Sequence, residues 1–346
     1  MMGFSRTGRK TLAIVSLAFV VAACAYAPEG KPRIVGEDLT IKGGDPGIQL
    51  FVRNKRPADL TAPAGERIVL FVHGATYPAH TAFDQPLGGM SWMDYMAERG
   101  YDVYSVDLRG YGRSTRLKEM DEPADKNPPL TTGDIAVRDI SATVEHILAR
   151  RGVKKINLVG WPWGTTLMAT YTAANPDKVN RLVLYAPQWI RTTPSQVQAG
   201  PTLGAYRVVK KEDTLKRWTT GVPESKKQAL IPAGWWEQWA TATFATDPKG
   251  GGQTLRAPNG IIKDSRESWA AGKAYYDPAK ITAPVLIVLG EWDNDTPPYM
   301  AQTLFPLLVN APTKRLVMVG ESTHTMLMER NRLQLFGAVQ AFLDEK

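Results

Sequence analysis

The stretch Leu158-Val159-Gly160-Trp161-Pro162-Trp163-Gly164-Thr165-Thr166 carries the strongest fold signal in this chain. A short apolar strand ends at Gly160, a second glycine follows two residues after Pro162, and a helix-like run then begins. This is the outline of a nucleophile elbow, the strand-to-helix turn in which Gly-x-Ser-x-Gly lifts a serine hydroxyl above a sheet. The middle residue here is Pro162, which has no nucleophilic atom.

Length and composition indicate a large globular protein. The chain has 346 residues, of which 43% are hydrophobic, enough for one large α/β domain or two smaller ones. Its net charge is +8, and removing residues 1–23, which hold three basic and no acidic residues, would leave +5. Because there is no arginine-rich run or basic stripe interleaved with aromatic residues, we expect a solvated basic surface and no nucleic-acid partner. The oligomeric state stays open.

The N-terminus has the pattern of an export signal. Three basic residues precede an apolar segment at residues 11–23 that is too short to span a bilayer as a mature helix. Small residues followed by Cys24 resemble a bacterial lipobox, which predicts a signal peptide at 1–23, lipidation of Cys24 and a tether at 24–34. The protein would then be anchored in a bacterial cell envelope, facing the periplasm or the exterior. The alternative is ordinary cleavage and secretion; the lone cysteine allows no intrachain disulfide.

Alternating strand-like and helix-like segments predict an α/β fold, with a mostly parallel sheet covered on both faces by helices. Residues 188–280 break this rhythm, and we interpret them as an inserted helical cap, called the cap segment below. The core would comprise residues 35–187 and 281–346. The predicted strands are residues 37–42, 47–53, 67–72, 102–106, 155–159, 181–185, 284–289 and 315–319; the main predicted helices are residues 91–99, 132–151, 165–174, 298–308 and 330–343.

Several motifs occur in an order that resembles the α/β-hydrolase fold family over about residues 35–345. His73-Gly74 follows the third strand, and an Asp-x-Arg-Gly-x-Gly-x-Ser turn at residues 107–114 follows the fourth. The elbow follows the fifth strand, Gly290-Glu291-Trp292-Asp293 the seventh, and Gly320-Glu321-Ser322-Thr323-His324 the eighth. The resemblance implies a serine esterase, lipase or amidase ancestry, with nucleophile, acid and histidine in that chain order.

The resemblance also assigns roles to an acid and a base. His324 would be the general base, and Asp293 would fix its tautomer and stabilise its charged form. Asp295 is a nearby substitute for the acid, but Asp293 has the family spacing after Gly290. A single histidine near a C-terminal helix is usually structural, and the surrounding motif is what favours a triad position for His324.

The loop after the third strand would supply an oxyanion hole. The expected donors are the backbone N–H groups of Ala75 and Trp163, with Thr76 as the second choice in the loop. His73 would brace this loop.

Other candidates have ordinary structural interpretations. His80 and His146 have no partner pattern, and no spacing of histidine, cysteine or acidic residues suggests a metal site or a cofactor. Asp107 and Arg109 are expected to stabilise a turn. The cap tryptophans are either packing residues or the walls of a site for a small apolar or aromatic substrate; they are Trp218, Trp235, Trp236, Trp239 and Trp269.

Pro162 conflicts with the geometry expected of an elbow. The family nucleophile has a positive φ, whereas proline fixes φ near −65° and lacks an N–H. Pro162 also restricts Trp161 before it. Thr165 and Thr166 are the nearest hydroxyls, but both fall in the helix after the turn, where neither is expected to replace the serine.

Three functions remain open. The favoured one is a protein of serine ester or amide hydrolase descent whose acyl-enzyme chemistry is very slow because of Pro162. The second is general-base chemistry by His324 and Asp293 without a covalent nucleophile, as in oxygenases and lyases of this family. The third is a non-catalytic binding protein of the envelope.

Overall fold

The computed structural model describes residues 1–3, 31–197 and 202–345. Pro32–Lys346 forms one compact unit, and Met1–Lys31 forms another. The predicted signal peptide core, Cys24 and most of the tether lie outside the described residues. Within the described ranges, no helix has the length and apolar character needed to cross a membrane.

An eight-stranded sheet forms the centre of the larger unit, in the order β1-β2-β4-β3-β5-β6-β9-β10. β1 and β2 form the predicted antiparallel hairpin, β2 pairs antiparallel with β4, and every later pair in the sheet is parallel. The strands are β1 Ile34–Lys42, β2 Gln49–Pro57, β3 Ile68–Val72, β4 Asp102–Val106, β5 Ile156–Gly160, β6 Val179–Tyr185, β7 Tyr206–Lys210, β8 Thr254–Pro258, β9 Val285–Gly290 and β10 Lys314–Val319.

Ten α-helices accompany the strands in the described part of the chain. They are α1 Ala79–Phe83, α2 Trp92–Ala97, α3 Gly133–Arg151, α4 Trp163–Ala174, α5 Lys211–Trp218, α6 Glu224–Leu230, α7 Trp235–Phe244, α8 Gly260–Glu267, α9 Pro298–Leu304 and α10 Arg332–Leu343.

The central strands are buried on both faces, which explains their continuous apolar sequences. Successive side chains of a strand point to opposite faces, so Leu70 and Leu158 join one hydrophobic cluster with Ile140 of α3. Phe71 lies in the other cluster, with Phe336 of α10. The predicted α/β-hydrolase architecture is therefore confirmed, with one helical layer on each face.

Two local features differ from the sequence prediction. Helix α4 begins at Trp163, two residues before the predicted start, because Pro162 already has helical dihedral angles. The cap segment also contains a two-stranded antiparallel sheet, β7 with β8, besides helices α5 to α8. A long stretch of chain separates these strands, so no hairpin turn marks their pairing in the sequence.

Candidate active site

The loops that follow β3, β5, β9 and β10 meet beside one cavity. The carboxyl ends of parallel strands share one edge of a sheet, and ligands of open α/β sheets bind outside that edge. The cavity encloses about 810 Å³, including space open to solvent, and its polar wall includes His324, Arg191, Arg217 and Asp295.

His324 and Asp293 form a buried pair at this edge. The Nδ1–H of His324 donates to Asp293, with distances of 3.0 Å to Oδ1 and 2.9 Å to Oδ2. Asp293 also accepts hydrogen bonds from the N–H of Asp295, at 3.0 Å, and from the N–H and hydroxyl of Thr296, at 2.8 and 2.9 Å. Among the described residues none bonds to Nε2 of His324, so this nitrogen is free to act as a base.

The surroundings of His324 favour a charged imidazole. Burial of the ring opposes the charge most strongly, but Asp293 and Asp295 together outweigh burial, so the pKa of His324 is raised above its usual value. Asp295 makes no hydrogen bond to the ring. Burial is the strongest influence on Asp295 and raises its pKa, but the charges of Arg217, His324 and Arg191 and the Arg217 hydrogen bond together lower it.

Two aromatic side chains position the His324 loop. The Nε1–H of Trp161 and the hydroxyl of Tyr185 both donate to the carbonyl of His324, at 3.0 and 2.7 Å. Their rings stack at 5.7 Å, and the Trp161 ring lies 5.5 Å from the imidazole. Tyr185 was not predicted as a site residue, since an aromatic residue in a buried strand carries no separate signal.

Pro162 lies on the cavity wall with relaxed backbone angles. Its φ is −74° and its ψ is −39°, and all peptide bonds of the described residues are trans. The neighbouring glycines nevertheless show the close packing of an elbow. A Cβ at Gly74 would lie 2.3 Å from Cδ of Pro162, and one at Gly160 would lie 2.3 Å from the carbonyl oxygen of Gly164. The small residues of an elbow are present, whereas the positive φ is not.

The two expected oxyanion donors are placed differently. Ala75 lines the cavity, and its N–H bonds to no described residue. Trp163 is fully buried as the first residue of α4, and its side chain does not line the cavity. The carbonyl of Ala75 accepts hydrogen bonds from Tyr111, at 3.0 Å, and from Arg207 of the cap segment, at 2.7 Å.

His73 braces the oxyanion loop from below. Its Nδ1 lies 2.7 Å from the carbonyl of Gly74, and its Nε2 accepts a hydrogen bond of 3.0 Å from the N–H of Leu108. Burial lowers the pKa of His73 to about 4, so the ring is neutral at pH 7. Thr76, the second-choice donor, lines the cavity, and its hydroxyl accepts from Arg207 at 2.9 Å.

The five cap tryptophans divide into two groups. Trp218 and Trp239 line the cavity and meet edge to face at 5.5 Å. Trp269 is buried in the core, Trp235 lies under Arg332 at 4.3 Å, and Trp236 donates to Thr214. Two of the five therefore form an aromatic wall and three serve packing.

The remaining candidates are structural. His80 does have a partner, contrary to the sequence interpretation: its Nδ1 lies 2.7 Å from Asp107 in the turn after β4. Arg109 in the same turn pairs with buried Asp139 of α3. Thr165 donates to the carbonyl of Pro162, and neither it nor Thr166 lines the cavity.

Glu329 connects the cap segment to the His324 loop and was missed by sequence reasoning. One carboxylate oxygen accepts from Nε1 of Trp218 at 2.7 Å, and the other accepts from the N–H of Thr323 at 3.0 Å. Glu329 is fully buried, and burial raises its pKa to about 7. The sequence did contain a sign of its burial, since Glu329 directly follows the apolar triplet of residues 326–328.

No group of three or more histidine, cysteine, aspartate or glutamate side chains within residues 1–3, 31–197 and 202–345 could hold a metal ion. The charged groups on the cavity wall are His324, which is paired with Asp293, Arg191, Arg217 and Asp295.

Known proteins resemble the chain in fold and, over shorter stretches, in sequence. The family model for the alpha/beta hydrolase fold matches residues 67–205. An epoxide hydrolase 3 of Siraitia grosvenorii is 30% identical over 29% of this chain and 28% of its own length. Human lipase member M is 26% identical over 38% of this chain and 32% of its own. The chain spans at most about half the length of the curated relatives it matches.

A solved structure of a thermophilic esterase from Thermogutta terrifontis superposes with a TM-score of 0.57 at 18% identity, covering 89% of this chain and 98% of the esterase. At that identity the likeness establishes the fold. The family model over residues 67–205 agrees with this likeness, and together they show that the chain has the α/β-hydrolase fold.

Proposed function

We propose that this protein descends from serine ester or amide hydrolases and has lost the acyl-enzyme step while keeping a site for a small, apolar or aromatic substrate. The observation that carries the proposal is the conjunction of His324, paired with Asp293, and Pro162 on the wall of one cavity. A base is present where a hydroxyl nucleophile is absent.

The loss of acyl-enzyme chemistry has two physical causes. Proline supplies no hydroxyl for His324 to deprotonate, so no covalent bond to the substrate carbonyl carbon can form at this position. The helical φ of −74° also differs from the positive φ of a serine elbow, so the turn before the expected donor Trp163 does not have the elbow geometry. We expect turnover of p-nitrophenyl esters close to the uncatalysed rate.

A second candidate is general-base chemistry without a covalent intermediate. Nε2 of His324 would take a proton from water or from the substrate, and Asp293 would stabilise the imidazolium. The free Nε2 and the raised pKa of His324 favour this candidate. Replacing His324 with alanine should then abolish whatever activity the natural chain has, and activity that survives His324→Ala would eliminate it.

The variants Pro162→Ser and Pro162→Ala together test the first proposal. Both release the ring constraint on φ, but only serine adds a hydroxyl, so alanine is the matched control. We expect Pro162→Ser to gain p-nitrophenyl ester turnover and labelling by a fluorophosphonate, and the double variant with His324→Ala to lose both.

The size of the gain can be bounded. Removing the nucleophile of a serine protease costs on the order of 10⁶ in kcat. A positive φ costs serine about 1–3 kcal/mol, or roughly 5- to 150-fold. The gain in ester turnover over Pro162→Ala is therefore bounded at about 10⁴- to 10⁵-fold. Equal turnover and equal labelling of the two variants would remove the main support for a hydrolase ancestry of this site.

We also propose that Cys24 carries a lipid that anchors the protein to a bacterial envelope membrane, supported by the small residues before it and the apolar segment at 11–23. Cys24→Ser should move the protein from the membrane fraction to the soluble fraction. An unchanged distribution would exclude lipidation as the anchor.

A further inference from the structure

The cavity wall holds more positive than negative charge. Its ionisable lining groups, besides His324 and Tyr77, are the guanidinium groups of Arg191 and Arg217 and the carboxylate of Asp295. When His324 is neutral, the lining therefore carries one net positive charge, beside an apolar wall that includes Trp218 and Trp239.

Among the described residues, the hydrogen-bond acceptors of Arg191 are all neutral carbonyls. Its Nη1 donates to the carbonyls of Thr193 and Pro194, at 3.3 and 2.9 Å, and its Nη2 donates to the backbone carbonyl of Asp295. Carbonyls satisfy its hydrogen bonds but do not neutralise its charge, and burial lowers its pKa.

Arg207, behind the oxyanion loop, is in the same situation. Its hydrogen bonds go to backbone carbonyls, among them those of Ala75 and Pro258, and to the hydroxyl of Thr76. Burial lowers its pKa to about 10. A cation taken out of water without a hydrogen-bonded carboxylate is costly, so Arg191 on the cavity wall and the half-buried Arg207 behind the loop favour an anionic occupant.

Arg217 has the donor that such an occupant could use. Its Nε and Nη2 both donate to Oδ1 of Asp295, at 3.2 and 2.8 Å, while Nη1 bonds to no described residue. The Arg217 side chain is 27% exposed and Asp295 is 13% exposed. Arg217 lines the cavity next to Trp218 in α5, so a polar and an apolar wall adjoin each other.

We propose that the cavity binds an amphipathic monocarboxylate, with its carboxylate on Nη1 of Arg217 and its apolar part against Trp218, Trp239 and Ile261. A carboxylate matches the excess positive charge of the lining, which a charged His324 increases. The proposal rests on the proposed function, since it names the substrate class of the same cavity, but it requires binding only.

The experiment compares two ligands that differ in charge. Binding of 4-phenylbutyrate and of its uncharged amide, 4-phenylbutyramide, is measured by calorimetry on the full chain. A charge-assisted hydrogen bond predicts about ten-fold or greater preference for the carboxylate. Equal affinity of the two ligands, or no saturable binding of either up to its solubility limit, would overturn the proposal.

Two variants separate ligand binding from anchoring of the cap segment. Asp295→Asn removes the competing carboxylate, so the carboxylate ligand should bind several-fold more tightly and the amide equally well. If the Asp295–Arg217 ion pair only anchors α5, Asp295→Asn should weaken the binding of both ligands or leave both affinities unchanged. Either result would contradict the proposal. Arg217→Gln combined with Asp295→Asn should abolish the preference without loss of amide binding; a preference that persists also contradicts it.

Arg113→Gln is the matched control, because it removes one exposed positive charge paired with Asp38 away from the cavity. Arg113→Gln should leave the affinities for both ligands unchanged. If it lost the preference for the carboxylate as fully as the double variant, overall charge alone would explain the preference, and the assignment to Arg217 would be overturned. Failure here leaves the result of Pro162→Ser untouched, so the two proposals can fail separately.

Discussion

Glu329 should make the stability of this protein depend on pH, and Glu329→Gln should remove that dependence. The carboxyl is fully buried, and its pKa rises from 4.5 to about 7 on folding. Because the folded pKa is the higher one, its contribution to stability is complete below pH 4.5 and is lost as the pH rises through about 7. At about 1.4 kcal/mol per pKa unit, the loss is about 3 kcal/mol.

Urea unfolding over a series from pH 4.5 to about pH 8 measures this effect. The free energy of unfolding of the natural chain should fall by about 3 kcal/mol more than that of Glu329→Gln across the series. The test is how the free energy of unfolding changes with pH. Its absolute value also differs between the two proteins, because glutamine cannot accept hydrogen bonds from both Trp218 and Thr323 as a carboxylate does.

Glu212→Gln serves as the control, because its side chain is 75% exposed. This variant should follow the natural chain at every pH. If the unfolding free energies of the natural chain and of Glu329→Gln run parallel across the series, the carboxyl does not titrate on folding, and the argument from its burial is refuted.

Three further variants test other parts of the site. Gly74→Ala should destabilise the fold by about 1–3 kcal/mol, because its Cβ would lie 2.3 Å from Cδ of Pro162; a double cycle with Pro162→Ala should show less than additive loss in urea unfolding. Asp293→Asn should lower the pKa of His324 by removing its charge partner, and an unchanged midpoint in an NMR titration of the imidazole would contradict this. Asp139→Ala should cost about 1.5–3 kcal/mol, since it removes the two-pronged partner of the Arg109 guanidinium and leaves Asp45 as its remaining carboxylate; a change below about 1 kcal/mol in the same unfolding assay would count against it.

Much of the architecture was predictable because its signals are local. Each central strand is a short apolar run, since both of its faces are covered, and α3 shows a helical repeat of apolar residues. The order of the motifs after the strands also placed His324 opposite Asp293. Parallel strands bring distant loops to one edge, so chain order sufficed to predict this pair.

What the sequence could not supply are contacts between segments far apart in the chain. Trp218 and Glu329 are 111 residues apart, and Ala75 and Arg207 are 132 apart. Neither pair belongs to a repeating pattern, so nothing local marks it. The backbone at Pro162 was unpredictable for another reason: the glycines of the motif favour a tight elbow and proline favours a helical φ, and a motif alone does not decide between them.

The relaxed backbone at Pro162 bears on how this protein could evolve. In serine members of the family the turn stores strain, of about 1–3 kcal/mol, that the rest of the fold must offset. Here the turn stores none, and proline also restricts the unfolded chain, which adds stability. A lineage that acquired a serine here would lose stability in the same step, before the new hydroxyl had been placed well enough to act. The stability that Pro162 provides therefore opposes its replacement by serine. Thermal melts should show a lower Tm for Pro162→Ser than for the natural chain.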